Sequence, residues 1–191
     1  MSFVAGPYNE SHAHQDLGGF TLFARDWLAV TENIWSHSGI QQGTPVHNVV
    51  RFERADPDAP QCAAPRGDVV VHQCETPRSR ARLTVTPRAD GGVTAVADMT
   101  PVYRDNPALQ SWQRRLDFAG RTLRVKDDFR LGAGTRAIFQ VNVPERPVVQ
   151  GNEAIAGRLR IRVLEPASAT LSVHAWSDED PREFRRGWRV D

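Results

Sequence analysis

Apolar and polar residues alternate with period two along most of the chain, between glycine and proline punctuation, and helical periodicity is scarce. The pattern predicts an all-β fold, an antiparallel β-sandwich of two packed sheets with little helix. Phe20–Ala24 and residues 27–30 read as a first strand pair turning at Arg25-Asp26, with residues 48–53 as a third strand. Residues 68–73, 81–86 and 93–99 follow as strands, the last two joined by Arg88-Ala-Asp90-Gly91-Gly92, a strong hairpin signal. Residues 106–112 read as a short helical turn after Pro101. The alternation is clearest in residues 114–118 and 122–129, joined through Ala119-Gly120, where Leu116, Phe118, Leu123, Val125 and Phe129 are expected on one inner face. Residues 136–143, 151–156, 159–164 and 170–176 complete the strands, leaving a charged tail with Phe184 and Trp188 as anchors.

No internal repeat or linker divides the 191 residues, so one domain over 1–191 is expected, long enough to bury a sizeable core. The net charge of +1 argues against nucleic acid or a membrane surface as a partner. No apolar run approaches the roughly 20 residues that span a bilayer. The start, Met-Ser-Phe-Val-Ala-Gly-Pro, lacks the charged and apolar regions of a secretory signal, so the chain as written is expected in the cytoplasm. Among the basic residues Lys126 is the sole lysine. Codon bias accounts for this, or else some arginines grip anionic ligands in the bidentate manner a guanidinium allows. A bridge between Cys62 and Cys74 is geometrically possible across a hairpin, but nothing marks an oxidising compartment, and free thiols are expected.

Four of the six histidines lie between Ser11 and Arg51. His12-Ala-His14-Gln-Asp16 opens a strand-like run, and Thr44-Pro-Val-His47-Asn48 ends the next connection. Imidazoles at i and i+2 of a strand share a face, and a later strand can bring a third ligand beside them, which is the pattern of a metal site on a sheet. The alternative is that His14 and His47 are satisfied by backbone carbonyls and Glu32 is a solvated strand end.

These motifs, with Phe20-Thr-Leu22 and Trp27-Leu-Ala-Val30, resemble the C-terminal β-sandwich of the heparinase II/III-like polysaccharide lyases. Arg115-Leu-Asp-Phe118 and Leu123-Arg-Val-Lys-Asp127 resemble two further strands of that family. The resemblance implies a structural Zn2+ held by His14, Glu32 and His47, and a catalytic role for His12 facing the saccharide cleft. It implies an acidic polysaccharide as substrate, cleaved by β-elimination at a uronic acid. Family members carry a helical toroid ahead of the sandwich and this chain begins almost at His12, so a toroid domain or chain is an expected partner, and a periplasmic location is expected if the chain is a fragment of such a protein. The acidic residue closing the Trp27 strand is usually Asp, whereas here the run is Val30-Thr31-Glu32-Asn33. Either Glu32 takes the ligand role or the site has lost its carboxylate.

Around that set, Asp16 reads as a turn or supporting residue, Asn48 as a donor to a neighbouring loop, and Arg51 as the partner of an acid. His37, His72 and His174 read as structural or exposed. Two other classes remain open: a non-catalytic carbohydrate-binding or structural metal-binding sandwich, and a cupin-like metal enzyme. The second fits poorly, because the position where a cupin has Glu falls at Gly18 or Gly19.

Overall fold

The computed structural model describes residues 1–8, 14–31, 40, 42–59, 61, 68–104 and 106–191. The fold is all-β and sandwich-like, with several antiparallel sheets and little helix. In chain order the strands are β1 Ser2–Phe3, β2 Phe20–Ala24, β3 Asp26–Ala29, β4 Val50–Arg54, β5 Arg82–Pro87, β6 Val93–Asp98, β7 Leu109–Ala119, β8 Thr122–Leu131, β9 Thr135–Phe139, β10 Val141–Val143, β11 Val148–Gln150, β12 Glu153–Ala156, β13 Leu159–Arg162, β14 Val173–Ala175 and β15 Trp188–Val190. Two one-turn helices, α1 Thr100–Tyr103 and α2 Trp176–Glu179, interrupt them. The chain gathers into two compact units. The first comprises Met1–Phe3, Gly19–Arg51 and Ile138–Asp191, the second Val4–Gly18 and Phe52–Ala137.

The second unit is built on the meander β5-β6-β7-β8. Asp90 and Gly91 close its first hairpin: Gly91 takes a φ of 77°, open to glycine at little cost, and the Gly92 N–H donates to Asp90 Oδ1 at 3.0 Å. On one face, Trp112, Arg114, Leu116 and Phe118 of β7 stand opposite Phe129, Asp127, Val125 and Leu123 of β8. The expected residues thus share one face, but as an inner face it holds only in part: Leu116 is buried, Phe118, Leu123 and Val125 are half-buried and Phe129 is exposed, and the face carries a buried ion pair. Arg114 is fully buried and grips Asp127 through Nε to Oδ1 at 2.7 Å and Nη2 to Oδ2 at 2.8 Å. The Trp112 indole N–H donates to the same carboxylate at 2.7 Å. Phe52 stands edge-on to Tyr103, Trp112 and Phe129, which makes an aromatic centre for this unit.

Two segments of this unit depart from expectation. Residues 68–73 form no strand of their own; a single bridge, Glu53 to Val70, is what their pattern yields. The helical turn is not at 106–112 but at α1, where Pro101 sits in the first turn and loses no hydrogen bond by lacking an N–H. Asn106 instead accepts from the Ala108 N–H through its side chain, and β7 starts at once. Cys74 is disulfide-bonded, which corrects the expectation of free thiols; Cys62 lies outside the described residues.

The first unit holds the small sheets β1-β2-β3, β10-β15-β14 and β11-β12-β13. Arg25 makes the tight turn between β2 and β3 at a φ of 70°. The expected tail anchor Phe184 is buried and stacks on Trp176 at 4.9 Å, over Val46. Trp188 lies in β15, half-buried. Among the described residues no helix is long and apolar enough to cross a membrane.

Candidate functional site

The connection from β3 to β4 ends in a one-turn 3-10 helix, Thr44–Val46, that delivers His47 into the first unit with its side chain buried. Pro45 fixes the turn, and the His47 N–H closes it on the Thr44 carbonyl. A set of buried amides holds the backbone on either side. Gln140 donates from Nε2 to the carbonyls of Thr44 and His47, both at 2.7 Å, and accepts from Arg51 Nη1 at 2.7 Å. Asn48 donates to the Phe20 carbonyl at 2.7 Å and accepts the Asn142 N–H at 2.6 Å, while Asn142 accepts from the Trp176 indole at 2.9 Å. Arg51 pairs with Asp191 at 3.0 Å. Burial raises the Asp191 carboxyl, but hydrogen bonds and charge from Arg189, with Arg51 behind them, outweigh it and leave the group below its ordinary value. Arg51 thus meets an acid, as expected, whereas among the described residues Asn48 bonds strand residues of β2 and β10 and not a neighbouring loop.

The His47 ring makes two contacts of different kinds. Nε2 lies 3.2 Å from the Gln42 carbonyl, which can only accept, so Nε2 carries the proton. Nδ1 then bears the lone pair, and it meets the hydroxyl of Thr31 at the end of β3. As in many metal-ligating histidines, one nitrogen is oriented by a carbonyl; the other is engaged by the Thr31 hydroxyl. The next residue after Thr31 in the chain is Glu32.

His14 and Asp16 belong to the second unit, and His47 to the first. Burial pushes the Asp16 carboxyl above its ordinary value, opposed by the charge of His14. His12, Glu32 and His37 lie outside the described residues, so the catalytic position and one of three metal positions have no geometry here. Among the described residues no group of three histidine, cysteine, aspartate or glutamate side chains is gathered to hold a metal. The donor set itself, two imidazoles and a carboxylate, suits zinc, with water as a fourth ligand.

Sequence reasoning missed the partners of His72. Its ring is half-buried in the second unit, with Nε2 at 2.7 Å from Asp68 Oδ2 and Nδ1 at 2.9 Å from Gln15 Oε1. Gln15 donates in turn to Glu75 at 3.2 Å. Beside it, burial and then the negative charge of Glu75 raise the Tyr8 hydroxyl. The network fastens the segment carrying His14 to the loop after β4. A doubled amide contact extends it, since the Leu17 N–H donates to Gln73 Oε1 at 3.0 Å and Gln73 returns Nε2 to the Leu17 carbonyl at 2.8 Å. Gly18, at a φ of 90°, then gives its carbonyl to Arg114 at 2.6 Å. A Cβ there would lie 3.0 Å from the Trp112 ring, so the His14-to-Gly18 stretch is seated on the core by a residue that has none. Spacing offered no clue to His72, because Asp68 and His72 stand four apart in a stretch with the alternation of a strand. His174 is half-buried and meets Ser172 and Asp191, at 3.0 and 3.5 Å.

No protein-family model matches the chain, and no curated protein matches it.

Proposed function

We propose that the chain is the β-sandwich part of a polysaccharide lyase that cleaves uronic-acid polymers by β-elimination. In this reading His14, Glu32 and His47 are ligands of a zinc ion whose role is structural. The observation that carries the reading is the His47 contact: Nε2 is held by the Gln42 carbonyl, and Nδ1 meets the hydroxyl of Thr31, the residue next to Glu32 in the chain.

His12 stands two residues before His14 and is the group assigned to the saccharide. In the reaction the C5–H bond of the uronate breaks and the proton passes to a base. The electron pair forms the C4–C5 double bond, and the C4–O bond breaks with its pair leaving on oxygen, which takes up a proton. The step is slow unless the uronate carboxylate is neutralised, because charge builds on it as the C5 proton leaves. A histidine can quench that charge as imidazolium or move the proton as imidazole. The remaining groups of the cleft are assigned to a helical toroid, in the same polypeptide or in a partner. The disulfide at Cys74 favours an oxidising compartment such as the periplasm, where such polymers are met.

A second reading, a carbohydrate-binding sandwich without the chemistry, is favoured by Thr31, since a hydroxyl and not a carboxylate meets His47. Incubation of the 191-residue chain with alginate, heparan sulfate or hyaluronan is expected to give no rise in the absorbance of the unsaturated product. Rapid turnover by this chain by itself would contradict a cleft divided between sandwich and toroid.

A further inference from the structure

The strand pair β2-β3 leaves two large aromatic side chains in solvent. Trp27 is 54% exposed and Phe23 56%, and the two meet edge-to-face at 5.2 Å. A T-shaped partner holds the indole plane at a set angle without covering it. Trp27 borders a groove of about 470 Å³ in the first unit, with Thr21, Thr31, Pro144, Arg186 and Gly187 among its walls. That volume is in the range of small-ligand sites, roughly 300–1,000 Å³.

The polar groups along this groove are of two kinds. Thr21 and Thr31 bring hydroxyls, the first linked to Ser2 Oγ at 2.6 Å and the second to His47. Arg186 brings one cation, exposed and with no ion pair among the described residues. Arg51 and Arg189 of this unit pair with Asp191, Arg158 with Asp26 and Arg162 with Glu153, and none of these four lines the groove. An exposed guanidinium and an exposed indole on the walls of one groove make a receptor for a ring with an apolar face and an anionic substituent.

We propose that this groove binds one acidic pyranose unit of a polysaccharide, with the C–H face of the sugar on Trp27, its carboxylate or sulfate on Arg186, and its hydroxyls towards Thr21 and Thr31. Stacking a sugar face on indole removes apolar area from water on both partners, and the fork of Arg186 matches a planar carboxylate. A nucleic acid strand also stacks on tryptophan, but its phosphate at every residue asks for a track of cations. Among the described residues Arg186 is the one cationic wall residue, and the whole chain has a net charge of +1. The choice of an acidic sugar rests on the lyase reading above. The groove itself does not depend on the zinc site.

The test is titration of the full chain with an oligomannuronate, followed by Trp fluorescence and calorimetry, against a neutral mannan oligosaccharide of equal length and a single-stranded oligonucleotide. The acidic sugar is expected to bind, and the other two to bind at least tenfold more weakly. Trp27→Ala is expected to weaken binding roughly tenfold or more and Arg186→Gln by a similar factor, with Arg186→Gln flattening the salt dependence. Both residues are exposed, so both variants should melt with the parent protein. Binding that survives a chelator while depending on Trp27 upholds the groove even where the zinc reading fails. Failure to bind the acidic sugar, equal binding of the neutral one, preference for the oligonucleotide, or indifference to Trp27→Ala would each overturn the proposal.

Discussion

Asp127→Ala is expected to destabilise the protein by about 3–5 kcal/mol, a large part of the roughly 5–15 kcal/mol that holds a domain folded. The reason lies in what the substitution leaves behind. Arg114 is fully exposed in the unfolded chain and fully buried in the fold, and two of its donors end on the Asp127 carboxylate. Without that carboxylate a guanidinium stays in the core having lost the acceptor of two of its donors and its counter-charge, and the Trp112 indole loses its acceptor too. The ring of Trp112, 5.1 Å from the guanidinium, gives only part of the lost compensation. The companion experiment removes both charges: Arg114→Met with Asp127→Leu should recover most of the loss, because the pair stands directly opposite across β7 and β8. Denaturant titration reads both. A single variant within about 1 kcal/mol of the parent would show that the charge is not confined as the structure places it.

Loss of the disulfide is the second large effect. Cys74 has no exposed surface, and its N–H donates to the Val102 carbonyl at 2.9 Å, so the bridge ends inside the aromatic unit and not on a loose loop. Cys74→Ala is expected to lower stability by about 2–5 kcal/mol, mainly by releasing the unfolded chain. Adding reductant to the parent protein should lower its melting temperature towards that of the variant, and leave the variant where it is. A parent protein whose melting is unchanged by reductant, with two titratable thiols after unfolding, would contradict the bridge.

The strands were legible where pairing is local. From β5 to β8 each strand pairs with its successor through a short turn, so alternation and turn residues act on the same stretch of chain. Arg114 was legible as a strand residue but not as a core residue. Its burial depends on Asp127, and nothing in either residue's own neighbourhood shows that the register sets them opposite. Residues 68–73 carry the apolar alternation of a strand without a neighbour to pair with beyond Val70. Propensity alone makes no ladder. Of the site, Thr44 to Asn48 was legible as a turn because Pro45 and the hydrogen bond from the His47 N–H to the Thr44 carbonyl act within a few residues, whereas the amide partners Gln140 and Asn142 lie far along the chain. The tie of Thr31 to His47 was not, since it spans a long connection. The segment through His14 is held by side chains of Gln15, Gln73 and His72, residues with no periodic signature.

The zinc proposed at His14, Glu32 and His47 is read out by elemental analysis of the purified chain. After loading with zinc and desalting, one zinc per chain is expected, lost from the double variant His14→Ala with His47→Ala, which should also melt earlier. A parent chain that emerges without zinc, or a double variant that retains as much as the parent, would contradict it and leave both histidines with packing roles alone.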